Sequence, residues 1–165
     1  MNLEKIFKKQ LLLDNAIYAR SKEIHNIKSF EEIKKLRIIA LIVELSEFMN
    51  EIETFKYWKQ SRKNNRAKIL DELADVLHFA ISWAIRKDIN PQITPVIFSQ
   101  DPNEQFIQIM GWVNKWFVDD SKENIQYTIE LIFGLASIVG FNENEIINSY
   151  MKKNEINFKR IDENY

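Results

Sequence analysis

Four carboxylates in two short motifs carry the chemistry open to this chain: Glu44-x-x-Glu47 and, after 24 intervening residues, Glu72-x-x-Asp75. A three-residue step on a helix puts both side chains of a pair on one face. Two helices offering two carboxylates each can close around a hard cation such as Mg²⁺, which takes oxygen ligands and shares substrate phosphates. Around the first pair, Glu44, Glu47 and Glu51 form a patch beside the apolar arc of Leu41, Leu45, Phe48, Met49 and Ile52. A solvated face would lie opposite that arc. Like charges on adjacent turns repel, and no lysine stands four residues on to offset them. Around the second pair, Leu70, Leu73, Val76, Leu77, Ala80, Trp83 and Ala84 cover most of the helix circumference. A helix apolar nearly all round is buried. Glu72 and Asp75 are then buried as well, and buried carboxylates need cations or hydrogen bonds to stay ionised.

The elements that must position these groups are helical. A first helix is expected over 3–21, with Ile6, Leu13 and Ile17 apolar and Gln10 and Asp14 on one face. Ser29-Phe-Glu-Glu32 resembles a capping box, so a second helix starts near Phe30 and is expected to run to about Trp58. The polar, basic stretch Lys59–Lys68 is a connection to a third helix over about 66–87. Pro91 and Pro95 mark a loop. Asp101-Pro102-Asn103-Glu104 opens a fourth helix, with an N-cap residue, Pro at N1 and Glu at N3. A fifth is expected over about 122–139, ending at Gly140, and Asn142-x-x-Glu145 caps a sixth over about 143–160.

The 165 residues fit one domain with room for a substantial core. Only three Gly and three Pro leave little punctuation for strands, so the fold class is all-α: a bundle of about six helices with a four-helix metal-binding core. A net charge of −1 gives no bulk electrostatic drive towards nucleic acid or membrane surfaces. The absence of cysteine rules out a disulfide framework or thiolate zinc site and fits a reducing cytoplasm. Neither a signal-peptide pattern nor a membrane-spanning apolar run is present.

Near the C-terminus, Lys153, Asn157 and Arg160 fall on one face of the sixth helix, two cations bracketing an amide. With a carboxylate cage for Mg²⁺, this suits phosphate-chain chemistry: metals that acidify a bound water, and cations that offset charge on the transferring group. A di-iron bundle is the competing reading, but it calls for Glu-x-x-His on paired helices. Neither His25 nor His78 follows a glutamate by three; His78 follows Asp75.

These residues resemble a known family, the dimeric all-α dUTP diphosphatases, within the all-α NTP pyrophosphohydrolase superfamily that includes the MazG-like enzymes. The likeness runs nearly end to end. It takes in Phe7–Asp14, Leu41–Glu51 with Phe55-Lys56-Tyr57-Trp58, Ile69–Phe79, and Lys153-Asn154-x-x-Asn157-x-x-Arg160 with the closing Tyr165. The resemblance implies that Glu44, Glu47, Glu72 and Asp75 are catalytic magnesium ligands. It implies that Gln10, Trp58, His78 and Asn157 surround the uracil and deoxyribose, with Asp14 a further substrate-binding residue. Lys153, Arg160 and Tyr165, with Lys56 and Lys59 as further candidates, would contact the phosphates, and Glu51 would support the metal site. One departure stands out: the family's Gly before the final tyrosine is Asn164 here. Asn tolerates left-handed backbone better than most residues.

The implied activity is Mg²⁺-dependent hydrolysis of dUTP, and of dUDP, at the α–β phosphoanhydride, giving dUMP and pyrophosphate from dUTP and limiting uracil in DNA. The implied assembly is a homodimer, to which the aromatic residues Phe106, Trp112, Trp116 and Phe117 add interface candidates. The alternatives are a house-cleaning pyrophosphohydrolase acting on dCTP or another non-standard nucleotide and, from a different class, a non-catalytic helical interaction module.

Overall fold

The computed structural model describes residues 1–26 and 29–163, and of Asp162 the backbone alone. The described residues form six helices: α1 (Glu4–His25), α2 (Phe30–Ile52), α3 (Arg66–Arg86), α4 (Pro102–Lys115), α5 (Lys122–Ile138) and α6 (Glu143–Asp162). The only extended pairing among the described residues is an isolated antiparallel bridge between Asn2 and Gln92. No single described helix is long and apolar enough to cross a membrane.

Helix α3 is the axis of the bundle. It packs against α1, α2, α5 and α6, while α4 pairs mainly with α5. Its buried positions run from Ile69 through Trp83 and Ala84 and take in Glu72 and His78. The all-round apolar pattern of the third helix has the predicted consequence for Glu72, which is buried, whereas Asp75 is only half-buried. Trp83 and Trp116 are both fully buried, with ring centroids 5.3 Å apart.

The helix ends follow local chemistry. Asn142 and Glu145 form a reciprocal capping box, and the Asp101 side chain accepts from the Asn103 amide with Pro102 in the first turn. Gly140 ends α5 at φ +89°, the left-handed conformation that glycine adopts without strain. Two expectations need correcting. At Ser29 the hydroxyl reaches the Glu32 carboxylate at 3.4 Å instead of capping the backbone, although α2 does begin at Phe30. And α2 stops at Ile52, six residues short of Trp58, because Glu53 turns left-handed at φ 62° and its amide bonds back to the Met49 carbonyl. Helix α1 runs further than expected, to His25, closing on left-handed Asn26.

The 90–100 segment is a strap bound to the α4–α5 pair by one buried side chain. Gln105 donates to the Val96 and Leu131 carbonyls and accepts from the Phe98 and Ser99 amides. Gly134 of α5 lies under it. A Cβ there would stand 1.9 Å from the Val96 carbonyl oxygen, so only glycine allows this approach.

Candidate active site

Helices α2 and α3 bring the two acidic motifs face to face. Oxygens of Glu44, Glu72 and Asp75 lie within 4.8 Å of one another. Glu72 is buried, whereas Glu44 and Asp75 are half-buried. Glu47 is exposed one turn from Glu44 and lies outside that close group, yet near enough for its charge to act on Glu44. The Glu44 carboxyl is pushed up to about 7, first by burial and then by the negative charges of Asp75, Glu47 and Glu72. Asp75 is likewise held above the usual carboxylate range by burial, which outweighs Lys153.

Cations partly offset this charge. Lys153 of α6 sits 2.6 Å from Asp75 and 3.0 Å from Asp71. Burial would depress that ammonium, but the two aspartates outweigh it and raise its pKa. Lys68 pairs with Glu72 at 2.5 Å, and Lys63 with the buried Glu51 at 3.6 Å. Three convergent carboxylates, two of them driven towards protonation, remain short of positive charge. Hard oxygen donors in that number fit a divalent cation such as Mg²⁺.

Beside the carboxylates opens a cleft of about 400 Å³ walled by four helices. Gln10 and Asp14 come from α1, Arg37 and Glu44 from α2, Asp75, His78 and Phe79 from α3, and Asn157 and Arg160 from α6. Within it, Gln10 is held from three sides. Its amide nitrogen donates to Asp14 Oδ1 at 2.8 Å. Its oxygen accepts from the Tyr150 hydroxyl at 2.5 Å and lies 2.8 Å from His78 Nδ1. His78 Nε2 is buried without a hydrogen-bond partner among the described residues. Burial, reinforced by the charge of Lys153, pushes the His78 pKa down to about 3, so the ring is neutral at physiological pH. Arg160 donates to the Asn157 side-chain oxygen at 3.2 Å.

A family model described as dUTPase matches residues 2–165. The chain belongs to the dUTPase family. It is a dUTP diphosphatase by family, an all-helical hydrolase of a nucleotide substrate. No curated protein matches it.

Of the residues singled out in this dUTPase from its sequence, Gln10, Asp14, Glu44, Asp75, His78, Asn157 and Arg160 converge on the cleft, with Glu72 and Lys153 at its carboxylate end. Others do not reach it. Lys56 and Lys59 both bind Glu53, with Nζ–Oε1 distances of 3.0 and 2.7 Å, so their ammonium groups serve a buried carboxylate. Trp58 is 62% exposed on the loop after α2, edge-on to Phe55 and Tyr57, and does not line the cleft. Tyr165 lies outside the described residues. Among the aromatic interface candidates, Trp116 is fully buried with its indole N–H on Thr128, whereas Phe117 is 63% exposed.

Sequence reasoning passed over Arg37, Asp71 and Tyr150. Arg37 lies 3.6 Å from Asp14 and also donates to the Ser82 hydroxyl. Each had a helical-spacing signal: Arg37 is two turns before Glu44, Tyr150 one turn before Lys153, and Asp71 one turn before Asp75.

Proposed function

We propose that the chain hydrolyses dUTP, and also dUDP, at the α–β phosphoanhydride with Mg²⁺ held by Glu44, Glu47, Glu72 and Asp75. The observation that carries this reading is the group of three carboxylates within 4.8 Å at the mouth of a base-sized cleft, in a chain of the dUTPase family. Glu47 joins the set by rotating from its exposed position. A cation held by these carboxylates would supply neutralisation of phosphate charge and a more acidic water, and a carboxylate of the cluster would take up that water's proton. Lys153 and Arg160 offset the charge developing on the phosphate oxygens.

The base enters the cleft beside Gln10, His78 and Asn157. A buried polar edge of this kind excludes a base with the wrong donor pattern, because the mismatch leaves groups unpaired at about 1–3 kcal/mol each. Excluding thymine and ribose requires steric closure, supplied by Phe79 and by Trp58 once its loop folds over bound nucleotide. Residues 1–165 act as one domain, and the reaction limits uracil in DNA from a reducing compartment. The active assembly is a homodimer joined through α2. Leu36, Ile39 and Val43 support that face: each is 45% exposed or more, and they recur on one side of α2.

The test is pyrophosphate release from dUTP, dCTP, dTTP and UTP, and phosphate release from dUDP, each with Mg²⁺. Preference for dUTP bears the reading out. Preference for dCTP would keep the metal cage and overturn the base assignment.

A further inference from the structure

We infer that Asp14 is a positioning residue that sets the tautomer of His78, and through it the base the cleft accepts. The inference rests on the placement of the nucleotide base in this cleft. It starts from the Gln10 amide, whose two ends differ in chemistry but hardly in shape. The end facing Asp14 Oδ1 at 2.8 Å must be the nitrogen, because an oxygen there would set two acceptors against each other. The Asp14 carboxyl group lies 3.6 Å from the Arg37 guanidinium, and Arg37 is itself anchored on Ser82.

With its nitrogen turned to Asp14, Gln10 presents its oxygen to both Tyr150 and His78. The tyrosine hydroxyl is a rotor and would serve either orientation. The imidazole has no such freedom. An oxygen 2.8 Å away requires the hydrogen on Nδ1, which leaves the lone pair on Nε2. That Nε2 is buried without a partner among the described residues, on a residue that lines the cleft. It therefore accepts from a ligand N–H and repels a ligand lone pair. Uracil offers N3–H; cytosine offers a bare N3 in the same place. The second hydrogen of the Gln10 nitrogen is left for a carbonyl, which uracil has at C4 and cytosine has replaced by an amine.

The charge of Arg37 is thus converted, through Asp14 and Gln10, into a hydrogen-bond preference on His78. An amide at position 14 would break the conversion, since it meets either end of Gln10 equally well. Gln10 could then turn, and His78 could move its hydrogen to Nε2.

The experiment is ¹⁵N NMR of the imidazole nitrogens in histidine-labelled protein, which has only His25 and His78 to assign, paired with kcat/KM for dUTP and dCTP. In the wild type the expected result is His78 protonated on Nδ1. In Asp14→Asn the expected result is hydrogen on Nε2, or a mixture, with the dUTP-to-dCTP ratio lowered at least about tenfold. A wild-type spectrum showing hydrogen on Nε2 overturns the inference whether or not the variant folds. An unchanged tautomer in Asp14→Asn overturns it too. A changed tautomer with unchanged base preference supports the role of Asp14 and overturns the assignment of the base to His78. Absence of dUTP turnover in the wild type counts against the proposed function alone.

Discussion

Replacing Glu44 by Gln should stabilise the metal-free protein at pH 8 while removing its response to Mg²⁺. The Glu44 carboxyl titrates at about 7 in the folded chain against 4.5 for a free side chain. The folded state therefore binds the proton more tightly than the unfolded chain, and metal-free stability falls as pH rises from about 4.5 to about 7. At about 1.4 kcal/mol per pH unit, that interval amounts to roughly 3 kcal/mol at most. Glu44 is only partly buried, so solvent screening reduces the figure to about 1–2 kcal/mol. For a chain of this size each kcal/mol moves the Tm by about 2–4 °C. Melting curves in EDTA should place Glu44→Gln roughly 3–6 °C above wild type at pH 8, with the gap closing near pH 4.5, where Glu44 is protonated already. Mg²⁺ should raise the wild-type Tm strongly, as binding at 100 times Kd stabilises by about 2.7 kcal/mol, and should barely move the variant. A variant no more stable than wild type at pH 8, or a gap independent of pH, would refute the claim that these carboxylates are crowded without a cation.

Other consequences are equally accessible to measurement. Lys153→Met strips the half-buried Asp71 and Asp75 of their shared, buried cation, so it should destabilise the metal-free protein by about 1–2 kcal/mol in urea melts once solvent screening is allowed for, with Mg²⁺ recovering much of the loss. Gly134→Ala drives a methyl group into the Val96 carbonyl and should lower stability by about 3 kcal/mol, read by the same melts; an unshifted midpoint would mean the strap does not lie against α5 as described. Glu53, buried and bound by Lys56, Lys59 and the Lys63 amide, is held down to about 2, first by Lys59. Its folded pKa lies below the unfolded value, so its contribution is present above about 4.5 and lost as pH falls towards 2. Glu53→Gln should lower the Tm at pH 7 and lose that effect near pH 2, and acid titration followed by circular dichroism checks it.

Much of the architecture is written in local chemistry. The caps at Asp101, Asn142 and Gly140 depend on neighbouring residues, so helix starts and stops there can be read directly. The end of α2 could not, because it is decided by a tertiary event: Glu53 is drawn inside by lysines three and six residues later, and the backbone must turn left-handed to deliver it. Periodicity likewise exposed the burial of Glu72, since the apolar residues around it close the circle. What periodicity hides is which polar residues meet across helices. Gln10 and Tyr150 are 140 residues apart, and nothing in either local pattern pairs them. The motifs brought Gln10, His78 and Asn157 to notice separately; only the packing of α1, α3 and α6 shows that one amide joins an acid, a phenol and an imidazole. Trp58 is the reverse case. Its motif marks it for the nucleotide, while the free chain holds it in solvent, so its part depends on a ligand the isolated sequence and fold do not contain.

The central claim is that dUTP is cleaved at the Glu44–Glu72–Asp75 cluster with a divalent cation. The most direct test is pyrophosphate release from dUTP across a Mg²⁺ titration, in wild type and Glu72→Gln. The account predicts saturable, Mg²⁺-dependent turnover in the wild type, none after EDTA, and at least about a hundredfold loss in kcat for the variant. Turnover that persists in EDTA, or a variant as active as wild type, would contradict it.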